Sequence, residues 1–273
     1  MIEYQLTFGG SGRGISHFQK IVECPRKARL DRETFEQSPE IHMSGAADIG
    51  TLFHAFMDLY HNRDGVKLVT QDVVFVGPEN ITVTVDPEAR LDAERLFRAY
   101  QDRFSATYLG KVSSVELQLS ALIPGLPKGL TCRIDMDTVL NQSHCRRIEK
   151  TSGIKLAPGR YLVDHKTTRA LMGNTVESYQ NSHQATLYQL MYKHCFPQRK
   201  LKGMLFNVIV KTKQPRFILI PVEYPGRSAV ESLKRFLTGA AKFEHDFVDW
   251  ANSGACFFPY SCRHFESGAC NRI

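Results

Sequence analysis

Residues 161–168, YLVDHKTT, and residues 130–140, LTCRIDMDTVL, decide how this chain is read. Both read as β-strands, and LTCRIDMDTVL alternates apolar and polar side chains with the period of two of a β-strand. On such strands Asp164 and Lys166 project to one face with Leu162, and Asp135 shares a face with Arg133 and Asp137. Two carboxylates on neighbouring antiparallel strands come close enough to share a hard cation. Asp137 is an alternative ligand, but Asp135, flanked by Ile134 and Met136, better fits a buried strand centre. A lysine two residues after the acid sets an ammonium beside the cation, where it can orient or activate a water while the metal polarises a phosphate. Lys166 alone among the lysines has an acidic residue two positions before it. By itself the triplet reads more readily as a surface charge pair on an edge strand; its neighbours decide the matter.

Outward from these strands, residues 112–121 alternate like a further strand. The basic loop 141–160, which holds Cys145, implies a hairpin with a long tip between the two acidic strands. Residues 177–195 predict a helix with Gln184 and Tyr188 on one face, one turn apart. Strands near 203–211 and 215–223 and a closing helix over about 227–251 follow. Upstream, residues 15–32 are helical, with Ser16 as N-cap and a division at Pro25. Leu52, Phe53, Phe56, Leu59 and Tyr60 recur at helical spacing in 48–61, where His54 follows Gly50 by one turn. Residues 71–84 read as a short strand region, and 86–104 as an amphipathic helix with an Asp-Pro start. Helices, then strands, a helix and more strands make a mixed α/β domain.

The 273 residues include 42% hydrophobic and 23% charged residues, too apolar for a disordered chain, and carry a formal charge of +7. The surplus permits a polyanionic partner. No apolar run reaches the roughly 20 residues of a membrane span, and the N-terminus lacks a signal-peptide pattern, so a cytoplasmic protein is expected. Seven cysteines do not make a disulfide scaffold. Cys24 comes early, and Cys256, Cys262 and Cys270 fall within the last 18 residues. These four could hold iron–sulfur or zinc if the termini meet, or could be scattered thiols.

The segments 50-GTLFH-54, 133-RID-135, 164-DHK-166 and 184-QATLY-188 stand in an order that resembles the RecB/Cas4-like exonuclease branch of the PD-(D/E)XK nuclease superfamily, of phage and bacterial type. Glu116 in SSVELQL looks like the acidic residue of that family's first core strand. The stretches SHFQKIVECPRKARL and GMLFNVIVKTKQPRF extend the resemblance over nearly the whole chain. It implies a restriction-endonuclease-like α/β core: a central mixed sheet flanked by helices, in a single domain over 1–273. A mainly helical part would occupy 1–110, the catalytic sheet 111–223, and a helix with a cysteine-bearing tail 224–273.

The implied activity is metal-dependent hydrolysis of DNA, on single-stranded or free-ended substrate, in recombination, repair, replication or CRISPR processing. His54, Asp135 and Asp164, with the His165 backbone carbonyl, would bind Mg²⁺ or Mn²⁺. Lys166 would position or help deprotonate the water, and Gln184 and Tyr188 would orient substrate or support Lys166. Cys24, Cys256, Cys262 and Cys270 would carry a [4Fe–4S] cluster, although no CxxC pair is present; zinc and no metal are the alternatives. Candidate phosphate contacts are Arg26, Lys27 and Arg29; Arg146 and Arg147; Arg199, Lys200 and Lys202; and Lys211 and Lys213. A helicase or a recombination or CRISPR protein would be the partner. Rival readings are a catalytically silent DNA-binding or assembly factor that keeps the fold, and an enzyme acting on a small phosphoester.

Overall fold

The strand β8 (Leu201–Val210) is apolar over most of its length, and every residue from Gly203 to Val210 is buried. A strand without alternation has protein against both faces. In this computed structural model, which describes residues 1–6, 13–37, 40–43, 45–62, 70–77, 82–246 and 270, β8 lies inside a five-stranded mixed sheet. It pairs in parallel with β7 (Gly159–Thr168) and antiparallel with β9 (Arg216–Glu223). β7 pairs antiparallel with β6 (Leu130–Leu140), and β6 antiparallel with β5 (Lys111–Ala121). A parallel step needs a crossover, which α6 (Thr175–Gln180) and α7 (His183–Cys195) supply between β7 and β8.

Each face of the sheet has its own core. On one side Met136, Val163, Leu205 and Ile209 pack with Phe53 and Phe56 of α3 (Ala46–Asn62) and with Leu96, Phe97 and Tyr100 of α4 (Pro87–Arg103). On the other, Leu162, Phe206 and Val208 meet Phe18 of α1 (Ile15–Glu23), Leu187 and Met191 of α7, and Leu233 and Leu237 of α8 (Arg227–Asp246). Each such side chain contributes roughly 1.5–3 kcal/mol by leaving water.

Local signals set several boundaries. Asp86 caps α4, its Oδ1 accepting from the N–H groups of Glu88 at 2.8 Å and Ala89 at 3.1 Å. Ser182 caps α7 through the Gln184 N–H, so 177–195 is two helices rather than one. The expected cap Ser16 lies inside α1, which starts after Gly14. Pro25 opens α2 (Pro25–Gln37) after the break at Cys24. The expected loop at 141–160 is mostly α5 (Gln142–Ser152). Asn141 and His144 form its capping box, Gly153 (φ 76°) ends it, and Cys145 and Ile148 are buried beneath it. The expected strand region at 71–84 holds two short strands, β3 (Val73–Val76) and the start of β4 (Thr82–Val85), whose partners local pattern did not resolve: among the described residues, β1 (Ile2–Gln5) pairs in parallel with β3, and β2 (Glu40–Met43) with β4. No helix among the described residues is long and apolar enough to cross a membrane.

Candidate active site

The rungs joining β6 to β7 run from Leu140 opposite Gly159 to Met136 opposite Val163, and there they stop. β6 stays paired with β5 as far as Leu130, and β7 stays paired with β8 as far as Thr168. The two middle strands therefore part, and the next residues in line, Asp135 and Asp164, flank the gap. On β5 the rung facing Asp135 is missing as well: pairing passes from Val115–Met136 to Leu117–Ile134, skipping Glu116. Glu116 has φ 47°, the left-handed region, which no other non-glycine among the described residues adopts. A side chain held there costs roughly 1–3 kcal/mol and persists only when its surroundings impose it.

The distortion reverses which face each strand shows. Val115 and Met136 enter the α3-side core, whereas Leu117 and Ile134 enter the α7-side core. The expected common face of Arg133, Asp135 and Asp137 is thereby broken. Asp137 points to the α7 side, where Arg160 Nη1 donates to both its oxygens at 2.6 and 2.7 Å and the Tyr192 hydroxyl donates at 2.7 Å. Fully buried and fully engaged, Asp137 is no longer an alternative to Asp135 in the gap.

Asp135, on the α3 side, accepts a 2.6 Å hydrogen bond from the His165 N–H, and His54 Nδ1 of α3 lies 3.4 Å from the same oxygen. Asp164 accepts from Gln184 Nε2 of α7 at 2.8 Å, and its Oδ2 stands 2.6 Å from Lys166 Nζ. That contact is a close, buried ion pair. Glu116 is held by Arg133 Nε at 2.9 Å. Tyr188 is buried one turn beyond Gln184. The His165 ring lines a small cleft beside the gap with His54, Glu116 and Asp135; its Nδ1 is 2.9 Å from Asn207 Nδ2, and the ring stacks on His61 at 5.9 Å.

Burial and crowding govern the charges. Burial pushes Asp164 up to about 6, with Lys166 opposing and Asp135 adding to the rise. Burial also raises Asp135, against Lys166 and the His165 N–H. Burial and then the Asp135 charge push Glu116 up to about 8. Burial, then Lys166, holds His54 down to about 4, so its imidazole is neutral at pH 7 and can offer a lone pair. Burial alone would lower Lys166, but Asp164 and Asp135 outweigh it and keep the ammonium charged.

A neutral imidazole beside three carboxyls whose ionisation is disfavoured is a donor set that suits a hard divalent cation, whose charge would offset theirs. The donors agree in kind, although among the described residues no three such side chains already stand as a ligand set. Asp164 is turned to Lys166 and Gln184, and Asp135 to the His165 N–H and His54. Cys24 and Cys270 are buried free thiols, and Cys256 and Cys262 lie outside the described residues.

Local pattern missed Tyr4 and Asp58, whose hydroxyl and carboxylate meet at 2.8 Å beside the gap. Asp58 was within reach, four residues after His54 on the same helix face. Tyr4 was not, because β1 reaches the site through a pairing some seventy positions away.

The mixed sheet thus opens between two acid-bearing strands, with a lysine on the second and a histidine on the helix above. The chain matches the family model of the PD-(D/E)XK nuclease superfamily over residues 15–253 and belongs to that superfamily. Among solved structures it is similar to one described as "Putative exonuclease" from Eubacterium rectale, at 11% identity and a TM-score of 0.54, covering 95% of this chain and 88% of that one. At that identity the likeness shows the fold. A second structure, SSO0001, is 12% identical over 86% of this chain and 78% of that one, with a TM-score of 0.40, and carries no argument. No curated protein matches the chain.

Proposed function

We propose that this nuclease-superfamily chain hydrolyses phosphodiester bonds of DNA in a metal-dependent reaction, acting as a RecB/Cas4-like exonuclease on single-stranded or free-ended substrate. The convergence of His54, Asp135, Asp164 and Lys166 from one helix and two parting strands carries the reading. His54, Asp135 and Asp164 would hold Mg²⁺ or Mn²⁺, with the His165 carbonyl as a further ligand. When bound, the cation supplies Lewis-acid stabilisation of charge on the phosphate oxygens.

The side chains do the positioning. Lys166, held beside Asp164, would donate hydrogen bonds to the attacking water or a phosphate oxygen and so position it, or help deprotonate the water. Gln184 fixes the Asp164 carboxylate from α7, and Tyr188 backs Gln184 in the core. Arg133 keeps Glu116 in place beside Asp135.

DNA would be held through phosphates with little sequence preference. Lys211 suits that role, because its N–H bonds the Thr168 carbonyl at 2.7 Å and so lies at the Lys166 end of the sheet. Arg199 suits it less, being engaged with Asp137 and the Tyr192 hydroxyl, and Arg147 is bonded to the Thr107 carbonyl. Cys24, Cys256, Cys262 and Cys270 remain the candidate ligands of a [4Fe–4S] cluster, checked by iron content and visible absorbance after anaerobic purification. A cytoplasmic setting and a helicase or CRISPR partner accompany this reading.

The test is digestion of linear single- and double-stranded DNA with Mn²⁺, Mg²⁺ or EDTA. Metal-dependent degradation supports the reading. Intact DNA in the presence of folded, DNA-bound protein would favour the silent assembly factor.

A further inference from the structure

Between Gly203 and Val210 the buried strand β8 carries a single polar side chain, Asn207. It stands on the α3 side with Leu205 and Ile209, in a core that otherwise asks for an aliphatic residue. A buried amide is costly unless it is hydrogen-bonded, so a partner is required. The parallel register sets Asn207 beside His165 of β7, and its Nδ2 lies 2.9 Å from His165 Nδ1. Neither residue is more than 5% exposed. The face of the same imidazole is covered by His61, 8° from parallel at 5.9 Å, and His54 meets it edge-on at 6.1 Å. His54 and His61 are seven residues apart on α3, two turns along one face. One ring is therefore gripped by an amide from β8 and by a flat side chain from α3.

What this grip holds in place is backbone. The His165 N–H donates to Asp135 Oδ2 at 2.6 Å, across the gap where the β6–β7 ladder has already ended. No rung from β6 fixes that peptide, and the pairing with β8 secures only the other edge of the strand. The N–H and C=O of one strand residue point to the same side, so the His165 carbonyl faces the gap as well. Tilting the ring would turn both groups, and with them the Asp135 carboxylate.

We propose that Asn207 and His61 are positioning residues of the nuclease site: by clamping the His165 ring they aim its backbone N–H at Asp135 and keep its carbonyl turned to the gap. Neither touches the substrate or the reacting atoms. The inference rests on the nuclease reading above and adds two residues that stand behind the carboxyl cluster. Supporting contacts behind a metal-binding group are worth about 10–100-fold in metal affinity or activity when lost. Because the two rings meet face to face, His61 offers His165 a flat surface and not a hydrogen bond. Another flat ring should serve in its place, whereas an aliphatic side chain should not.

The first arm of the test needs neither metal nor turnover. Backbone hydrogen exchange is followed in EDTA for the full chain and for Asn207→Leu, which fills similar space without the amide. Exchange of the His165 N–H about tenfold faster or more, with the Phe206 and Val208 N–H groups protected as in the wild type, supports the clamp. An unchanged His165 N–H, or equal loosening along β7 and β8, overturns it in favour of a general packing role. The second arm measures Mn²⁺ affinity by electron paramagnetic resonance, and kcat and KM on linear single-stranded DNA. Asn207→Leu and His61→Leu should each lower Mn²⁺ affinity and kcat about tenfold or more with KM for DNA unchanged, and His61→Phe should recover most of the loss. Wild-type Mn²⁺ affinity and kcat in Asn207→Leu, or His61→Phe as impaired as His61→Leu, overturns the proposal. Thermal melts check each fold, and should Asn207→Leu not melt cooperatively, the two His61 variants decide. A wild type that cuts no DNA would count against the nuclease reading, and the exchange and Mn²⁺ measurements would then decide the clamp.

Discussion

Asp135 and Asp164 form the first facing pair beyond the last rung between β6 and β7, so the sheet itself opens where the two carboxyls meet. Backbone pairing would otherwise fill that space. The opening is maintained on one side by the β7–β8 ladder and on the other by the irregular Glu116 position on β5.

Asp135→Asn and Asp164→Asn keep the shape of each side chain and remove its charge. Each should lower metal-dependent cleavage at least about a hundredfold while DNA binding in EDTA persists. Initial rates and filter binding on the same preparations check this.

Asp137 should behave differently, because it is the buried anchor for Arg160 and Tyr192. Removing one partner from a buried charged network costs about 3–5 kcal/mol. Asp137→Ala should therefore shift the urea midpoint strongly, whereas Asp135→Asn should move it little. Equal stability losses would contradict the division of labour between the two acids.

The pH dependence of stability without metal has a definite sign. Glu116, pushed up to about 8, and Asp164, pushed up to about 6, hold protons in the folded state that the unfolded chain has released. Such groups make stability fall as pH rises toward their raised values. His54 and His61, held down to about 4 chiefly by burial, act oppositely between about 4 and 6.5. Above 6.5 Glu116 dominates, so the melting temperature in EDTA should decline toward pH 8. Glu116→Gln should flatten that decline, and thermal melts across the range read both curves.

Gln184 touches Asp164 but has no direct contact with Lys166 or His54 among its hydrogen bonds. Gln184→Ala should reduce kcat by about tenfold, less than loss of either acid, since it loosens a carboxylate without removing it. Steady-state kinetics beside the Asp164→Asn protein ranks the two.

Much of this arrangement was legible because strand alternation and helical spacing are local. The patterns around Asp135 and Asp164, the unalternating β8 and the α3 face bearing His54 each follow from a few adjacent residues. The reversal that turns Asp137 away was not legible: Glu116 adopts a left-handed conformation without the Gly or Asn that would announce it. α5 had signals in Asn141, Gly153 and the Cys145–Ile148 spacing, but its basic, Gly- and Pro-containing surroundings read as a loop. β1 and β2 join partners far along the chain, and such pairing leaves no mark in four residues.

The most direct test sets the wild type beside Lys166→Ala on end-labelled single-stranded DNA, with Mn²⁺ or with EDTA. The account predicts degradation by the wild type in Mn²⁺ alone, and a loss of at least about a hundredfold in a Lys166→Ala protein that melts cooperatively. Cleavage by Lys166→Ala at the wild-type rate, or wild-type cleavage undiminished in EDTA, would contradict it.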